Sequence, residues 1–268
     1  EMPRLPGHGT TIEDMVPTRW SDWSGEVRAA HARLADRTDR IVVAGLSMGG
    51  ALTLWAAFEL QPVDGIVCIN PATFPPGREV LEMVEGLIED GTEFAPAVSG
   101  DIADPDAVES AYDRSPLRAA LSMWNEGLAP MTDRYGELTM PLLLITSRQD
   151  HVVEPSNSEH LAVNYGGDVD HVWLDRSFHV ATGLGRAGLS GHAEAITATR
   201  DFDVEAVFDL AQVFVKLTAE ICQAVIVGGL ENDVPRNLDS TQNRYLEPLC
   251  RGESVSVTVP GAAVNLST

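Results

Sequence analysis

The chain has 268 residues, 44% of them apolar, which is enough for one large domain with a sizeable core. Forty acidic side chains against 18 basic ones leave a net charge of −22, and Lys216 is the single lysine. Such a surface disfavours nucleic acid and anionic membranes as partners, and no apolar run reaches the roughly 18 residues of a membrane span.

Taken in order, the elements alternate between apolar strand-like runs and helical periodicity, which predicts a parallel sheet with crossover helices. "RIVVAGLS" (40–47) reads as a buried strand and "ALTLWAAFEL" (51–60) as the helix after it. "DGIVCIN" (64–70) is the next strand. From Pro71 to about Leu138 the strand signal vanishes. In its place stand an amphipathic helix, "REVLEMVEGLIED" (78–90), and two further helical patterns, "PDAVESAY" and "SPLRAALSMWNEGL". A connection this long predicts a helical cap over a pocket, at 72–137, inserted into a core made of 1–71 and 138–268. Strands follow at "PLLLITS" (141–147) and "HVWLD" (171–175), and "EAVFDLAQVFVKL" (205–217) is a closing helix.

Within "VVAGLSMGGALTLWAA" (42–57), Gly-x-Ser-x-Gly lies between a strand and a helix. A turn this tight leaves no room for side chains two residues before and after the serine, hence Gly45 and Gly49, and it lifts the Ser47 hydroxyl above the sheet. A serine hydroxyl needs a base to take its proton, and the base needs a carboxylate to orient it, in the order Ser, Asp, His. Asp150 follows the strand at 141–147 and His179 follows the strand at 171–175, so three loops converge at the carboxyl ends of the strands. His31 and His160 fall in helical patterns, His171 starts a strand and His151 adjoins Asp150; structural roles are expected for these.

"MPRLPGHGTTIEDM", "GLSMGGALTL", "DHVVEP" and "SFHVAT", in this order, resemble the small α/β-hydrolases of the bacterial carboxylesterase and monoacylglycerol lipase group. The resemblance covers roughly residues 2–182 and resumes at "DFDVEAVFDLAQVFV". It implies an α/β-hydrolase fold, a mostly parallel sheet flanked by helices with a small helical cap. It also implies Ser47 as nucleophile, Asp150 as acid, His179 as base, and the Met48 N–H as one oxyanion donor. Glu109, in "VESAY", matches a cap glutamate that contacts the glycerol end of the substrate in the lipase members. Asn70 is a weaker candidate for the pocket lining. The implied function is hydrolysis of short- or medium-chain carboxylic esters, or of monoacylglycerol, through an acyl-enzyme, with a small-molecule ester as substrate and no metal or cofactor.

The pattern departs from the family at both ends. Family members begin with a strand, an "HGF"-like oxyanion loop, a helix and a further strand before the segment matching "PRLPGHG", whereas this chain begins at "EMPRLPGHG". Its tail reads as a strand "QAVIVGGL" (223–230), a helix "STQNRYLEPLCRG" (240–252) and a strand "ESVSVTVPG" (253–261). This suggests a circular permutation in which the tail rebuilds the missing edge and Leu230 stands in for the oxyanion-loop residue. An acyltransferase, or an inactive ligand-binding relative without a complete oxyanion hole, stays open as an alternative. Cys68, Cys222 and Cys250 are odd in number and lack metal-ligand spacing, which fits a reducing, cytoplasmic setting with Cys68 as a buried small hydrophobe. The acidic surface fits adaptation to high salt.

Overall fold

The computed structural model describes residues 1–181, except 98, 106–108 and 110, and the backbone of three strands at 224–228, 255–259 and 262–266. In chain order the elements are α1 (Ile12–Met15), α2 (Trp20–Ala35), β1 (Ile41–Leu46), α3 (Met48–Glu59), β2 (Gly65–Ile69) and α4 (Arg78–Glu89). They continue with β3 (Phe94–Pro96), β4 (Arg114–Pro116), α5 (Leu117–Ser122), β5 (Leu142–Ser147), α6 (Ser156–Asn164), β6 (Val169–Leu174), β7 (Ala224–Gly228), β8 (Val255–Val259) and β9 (Ala262–Leu266).

The main sheet has the order β6-β5-β2-β1-β7. Its first four strands are parallel, with Leu46 opposite Ile69 and Ile69 opposite Ile145, so β1 and β2 end level and β5 runs two residues further. The apolar runs are continuous because both faces of these strands are covered. Ile41, Val43, Ile66, Cys68, Leu142 and Leu144 face the larger core, built with Trp20, Trp23 and Val27 of α2 and Leu52 of α3. Val42, Leu46, Val67, Ile69 and Ile145 face the other side, with Leu174 and Ala181. The helix α2 carries Trp20, Trp23, Val27, Ala30 and Leu34 at the three- and four-residue spacing that buries one stripe. Its first turn is fixed by the Arg19 N–H donating to the Asp22 carboxylate at 2.8 Å.

The 72–137 segment has a small core of its own, Val84, Ile88 and Leu117, and joins the main core through Ala119, Leu128 and Tyr135. It differs from expectation in three ways. A two-stranded antiparallel ribbon, β3 with β4, stands where no strand signal is visible; its strands are three residues long, too short for a period to show. The expected second helix at "PDAVESAY" is not helical at its described residues Pro105, Glu109, Ala111 and Tyr112. The third pattern is helical but changes pitch: α5 runs on into a π-helical turn, Met123–Leu128. That widening brings Gly127 so close to Trp20 that a Cβ there would lie 2.7 Å from the indole ring.

The tail strand at "QAVIVGGL" does form and does pair with β1, but antiparallel, with Ala224 opposite Gly45 and Gly228 opposite Ile41. The strand at "ESVSVTVPG" pairs with β9 as a separate hairpin rather than joining the main sheet. The expected helices at 205–217 and 240–252 lie outside the described residues.

Candidate active site

Ser47 is the residue between the end of β1 and the start of α3, with φ 57° and ψ −117°. A positive φ at a residue with a Cβ costs on the order of 1–3 kcal/mol and persists only where the surroundings hold it. They do so here. The Ser47 N–H donates to Ile69 O at 3.0 Å, and the Ser47 carbonyl accepts from the Ala51 and Ala72 N–H groups, both at 3.2 Å. A Cβ on Gly45 would lie 2.0 Å from the Gly49 carbonyl oxygen, so the turn closes backbone on backbone. Gly50 is constrained as well, since its Cβ would meet the Pro71 Cβ at 2.6 Å; the Gly-x-Ser-x-Gly spacing does not announce that position. As the first residues of α3, Met48, Gly49 and Gly50 have N–H groups with no partner inside the helix, at its positive end.

Asp150 follows β5 in a loop that folds around its own carboxylate. Oδ1 accepts the Val152 and Val153 N–H groups at 2.9 and 2.8 Å. Oδ2 faces His179 Nδ1 at 2.8 Å, and both side chains are buried. A carboxylate at Nδ1 fixes the tautomer with the proton there and leaves Nε2 free to accept one.

Asn70 connects the serine turn to the histidine loop, a larger role than a pocket lining. It is buried, with φ 42°, directly after the Ile69 that binds Ser47. Its Nδ2 donates to His179 O at 2.7 Å and to Ser147 Oγ at 3.0 Å, while its Oδ1 accepts the Ser147 N–H at 2.7 Å. Ser147 Oγ in turn pairs with Ser177 Oγ at 2.7 Å. The ends of β2 and β5 and the loop after β6 are thus one buried hydrogen-bonded unit. Sequence reasoning did not find Ser147, Ser177 or Asp101, whose carboxylate accepts the N–H groups of His151 and His179. Spacing carries no signal for residues brought together from separate loops.

Of the other expected site residues, Glu109 accepts the Gly100 N–H with Oε2 at 2.6 Å, which turns that carboxylate toward the loop of Asp101. Met48 is buried at the head of α3. Leu230 lies outside the described residues; the strand before it, β7, ends opposite Ile41, about 20 Å along β1 from Ser47. His31 pairs with Pro62 O at 2.8 Å, His160 with Thr132 O at 3.2 Å and His171 with Thr146 Oγ1 at 2.8 Å, structural roles in each case. Burial pushes the His171 and His8 imidazoles below their ordinary pKa. Cys68 is fully buried, and burial pushes its thiol up. Among the described residues no cluster of His, Cys, Asp and Glu is arranged to hold a metal ion, and no helix is long and apolar enough to cross a membrane.

Comparison with known proteins gives concordant matches. The model of a family described as the alpha/beta hydrolase family matches residues 2–183. The thermostable monoacylglycerol lipase of Bacillus sp. (strain H-257) is 34% identical over 184 residues, 68% of this chain and 71% of that one. A solved structure from work on LipS and LipT, two metagenome-derived lipolytic enzymes, superposes with a TM-score of 0.63 at 33% identity, covering 80% of each chain. The Paleococcus ferrophilus monoacylglycerol lipase superposes with a TM-score of 0.55 at 14% identity, over 66% of this chain and 74% of that one, a likeness of fold alone.

Proposed function

This chain belongs to the alpha/beta hydrolase family, and we propose that it is a serine hydrolase of carboxylic esters, with Ser47 as nucleophile, His179 as general base and Asp150 as the carboxylate that orients it. The observation that carries the reading is the buried Asp150–His179 pair, tied through Asn70 to the strained turn that presents Ser47. The named relatives with sequence identity above 30% are lipolytic, which supports an ester as substrate.

The steps follow from the groups present. His179 Nε2 takes the Ser47 proton as Oγ attacks the ester carbonyl carbon. Asp150 stays ionised and stabilises the imidazolium through the Nδ1 proton. Negative charge develops on the former carbonyl oxygen, and the Met48 N–H at the head of α3 donates to it, a contribution of about 3 kcal/mol for such a donor. His179 then gives its proton to the departing alcohol. Water, deprotonated by the same histidine, releases the acid from Ser47. The 72–137 segment is read as the cap over the acyl and alcohol groups, with Glu109 as the carboxylate that would meet a glycerol end.

The test is hydrolysis of p-nitrophenyl esters and of 1-monoacylglycerol over an acyl-chain series, at low and at molar salt, by the parent and by Ser47→Ala. Turnover by the parent and none by the variant is expected. Turnover that survives in Ser47→Ala, or a folded parent inert toward every ester at every salt, overturns the reading; the second result favours a binding-only relative.

A further inference from the structure

We infer that Asp101 is a positioning residue of this site: one carboxylate from the 72–137 segment holds the loop bearing the base and the loop bearing the acid in register. The inference rests on the assignment of His179 as base and Asp150 as acid. Asp101 Oδ2 accepts the His179 N–H at 2.9 Å and the His151 N–H at 3.0 Å. Oδ1 pairs with the His151 ring at Nδ1, 2.7 Å away. The Asp101 backbone oxygen accepts the Val180 N–H at 3.1 Å, so residue and loop lie along each other. His151 is the residue directly after Asp150, and its ring sits edge-on to Phe178, the residue directly before His179. Two loops from different strands, β5 and β6, are therefore joined through one side chain that belongs to neither.

His179 is gripped from three directions. Its ring meets Asp150, its carbonyl accepts from Asn70, and its N–H donates to Asp101. Asp150 and Asn70 follow the ends of sheet strands; among the described residues Asp101 is the contribution from the 72–137 segment. The backbone orientation of the base thus depends on that segment being seated. Burial raises the cost of charge on Asp101, but the two backbone N–H groups and the His151 ring outweigh it and hold the carboxyl below its ordinary range, so the acceptor is ionised at neutral pH. A shift of about 1 Å in a reacting group costs about 100-fold in rate, which is the scale on which such a grip matters.

The experiment compares the parent with Asp101→Ala, Asp101→Ser and Asp101→Asn on p-nitrophenyl acetate and p-nitrophenyl octanoate, with melting temperatures recorded. Alanine removes all three side-chain hydrogen bonds, and serine is too short to bridge the two amides, so it carries the test where the alanine variant does not fold. Asparagine keeps an oxygen at the position of Oδ2. The expected result is a fall in kcat of about 10- to 100-fold for alanine and serine, the same for both esters, with KM unchanged. The asparagine variant recovers most of the parental kcat. The inference is overturned by parental kcat in the folded alanine or serine variant, by a loss confined to octanoate, which would make Asp101 a pocket residue, or by asparagine failing as fully as alanine. Ser47→Ala separates the two levels: if it is inactive while Asp101→Ala keeps parental kcat, only the positioning role fails; if it stays active, the assignment of the base fails with it.

Discussion

Replacing Asn70 by alanine removes the side chain on which three loops depend, and the structure allows the cost to be worked out. The buried Ser147 N–H loses its acceptor, and the His179 carbonyl loses one of two donors while keeping the Ala181 N–H at 2.8 Å. A buried polar group left without a partner costs about 1–3 kcal/mol and a hydrogen bond lost without an orphan about 0.5–1.5 kcal/mol, so the two together cost about 1.5–4.5 kcal/mol. Ser147 Oγ keeps Ser177 and adds little. The φ of 42° adds about 1 kcal/mol for alanine, because asparagine tolerates the left-handed region better. For a domain of this size 1 kcal/mol moves the melting temperature by about 2–4 °C, so Asn70→Ala lowers it by at least about 5 °C. Asn70→Gly loses the same hydrogen bonds without the φ cost and melts a few degrees above Asn70→Ala. In both variants kcat on a p-nitrophenyl ester falls more than KM rises, because the loop that carries His179 has lost its tie to the turn that carries Ser47. Calorimetry and steady-state kinetics on the two variants give the answer. A melting temperature within 2 °C of the parent, or alanine melting above glycine, refutes the reasoning.

Other substitutions and conditions test neighbouring parts of the account. Gly45→Ala drives a Cβ to 2.0 Å from the Gly49 carbonyl oxygen, so the turn opens; thermal melts and ester kinetics give a loss of about 1–3 kcal/mol in stability and on the order of 100-fold in kcat/KM. His8 is held below its ordinary pKa of 6.5 by burial, so the unfolded chain binds a proton there more readily than the native protein. Stability from this site is full above that value and is lost as pH falls through the lower native pKa, so parent melting temperatures fall more steeply below pH 6.5 than those of His8→Gln. Cys68 is fully buried with its thiol pKa raised; peptide mapping after iodoacetamide treatment finds Cys68 unmodified in the native protein and modified once it is unfolded.

Much of the sheet was legible because its strands are apolar on both faces and stop where the chemistry starts. The runs at 40–47, 64–70 and 141–147 match the observed strands to within a residue at each end. The serine turn was legible for a steric reason, since the backbone closure at Gly45 forces a glycine. Local pattern failed where long-range contacts decide. The three-residue strands of the β3–β4 ribbon have no period to read, and the π-helical turn at Met123–Leu128 has the same composition as the α-helix it continues. Asn70 was visible only as a polar residue after a strand, whereas its importance lies in partners 77 and 109 residues away.

The most direct measurement is intact-mass analysis and peptide mapping after treatment with a fluorophosphonate, which reacts with a serine only when a base has activated it. One added phosphonyl group is expected on Ser47 of the parent, none on Ser47→Ala, and a rate reduced by orders of magnitude on His179→Ala with the fold intact. A parent that takes no label, a label on another residue, or undiminished labelling of Ser47 without His179 would contradict the assignment of nucleophile and base.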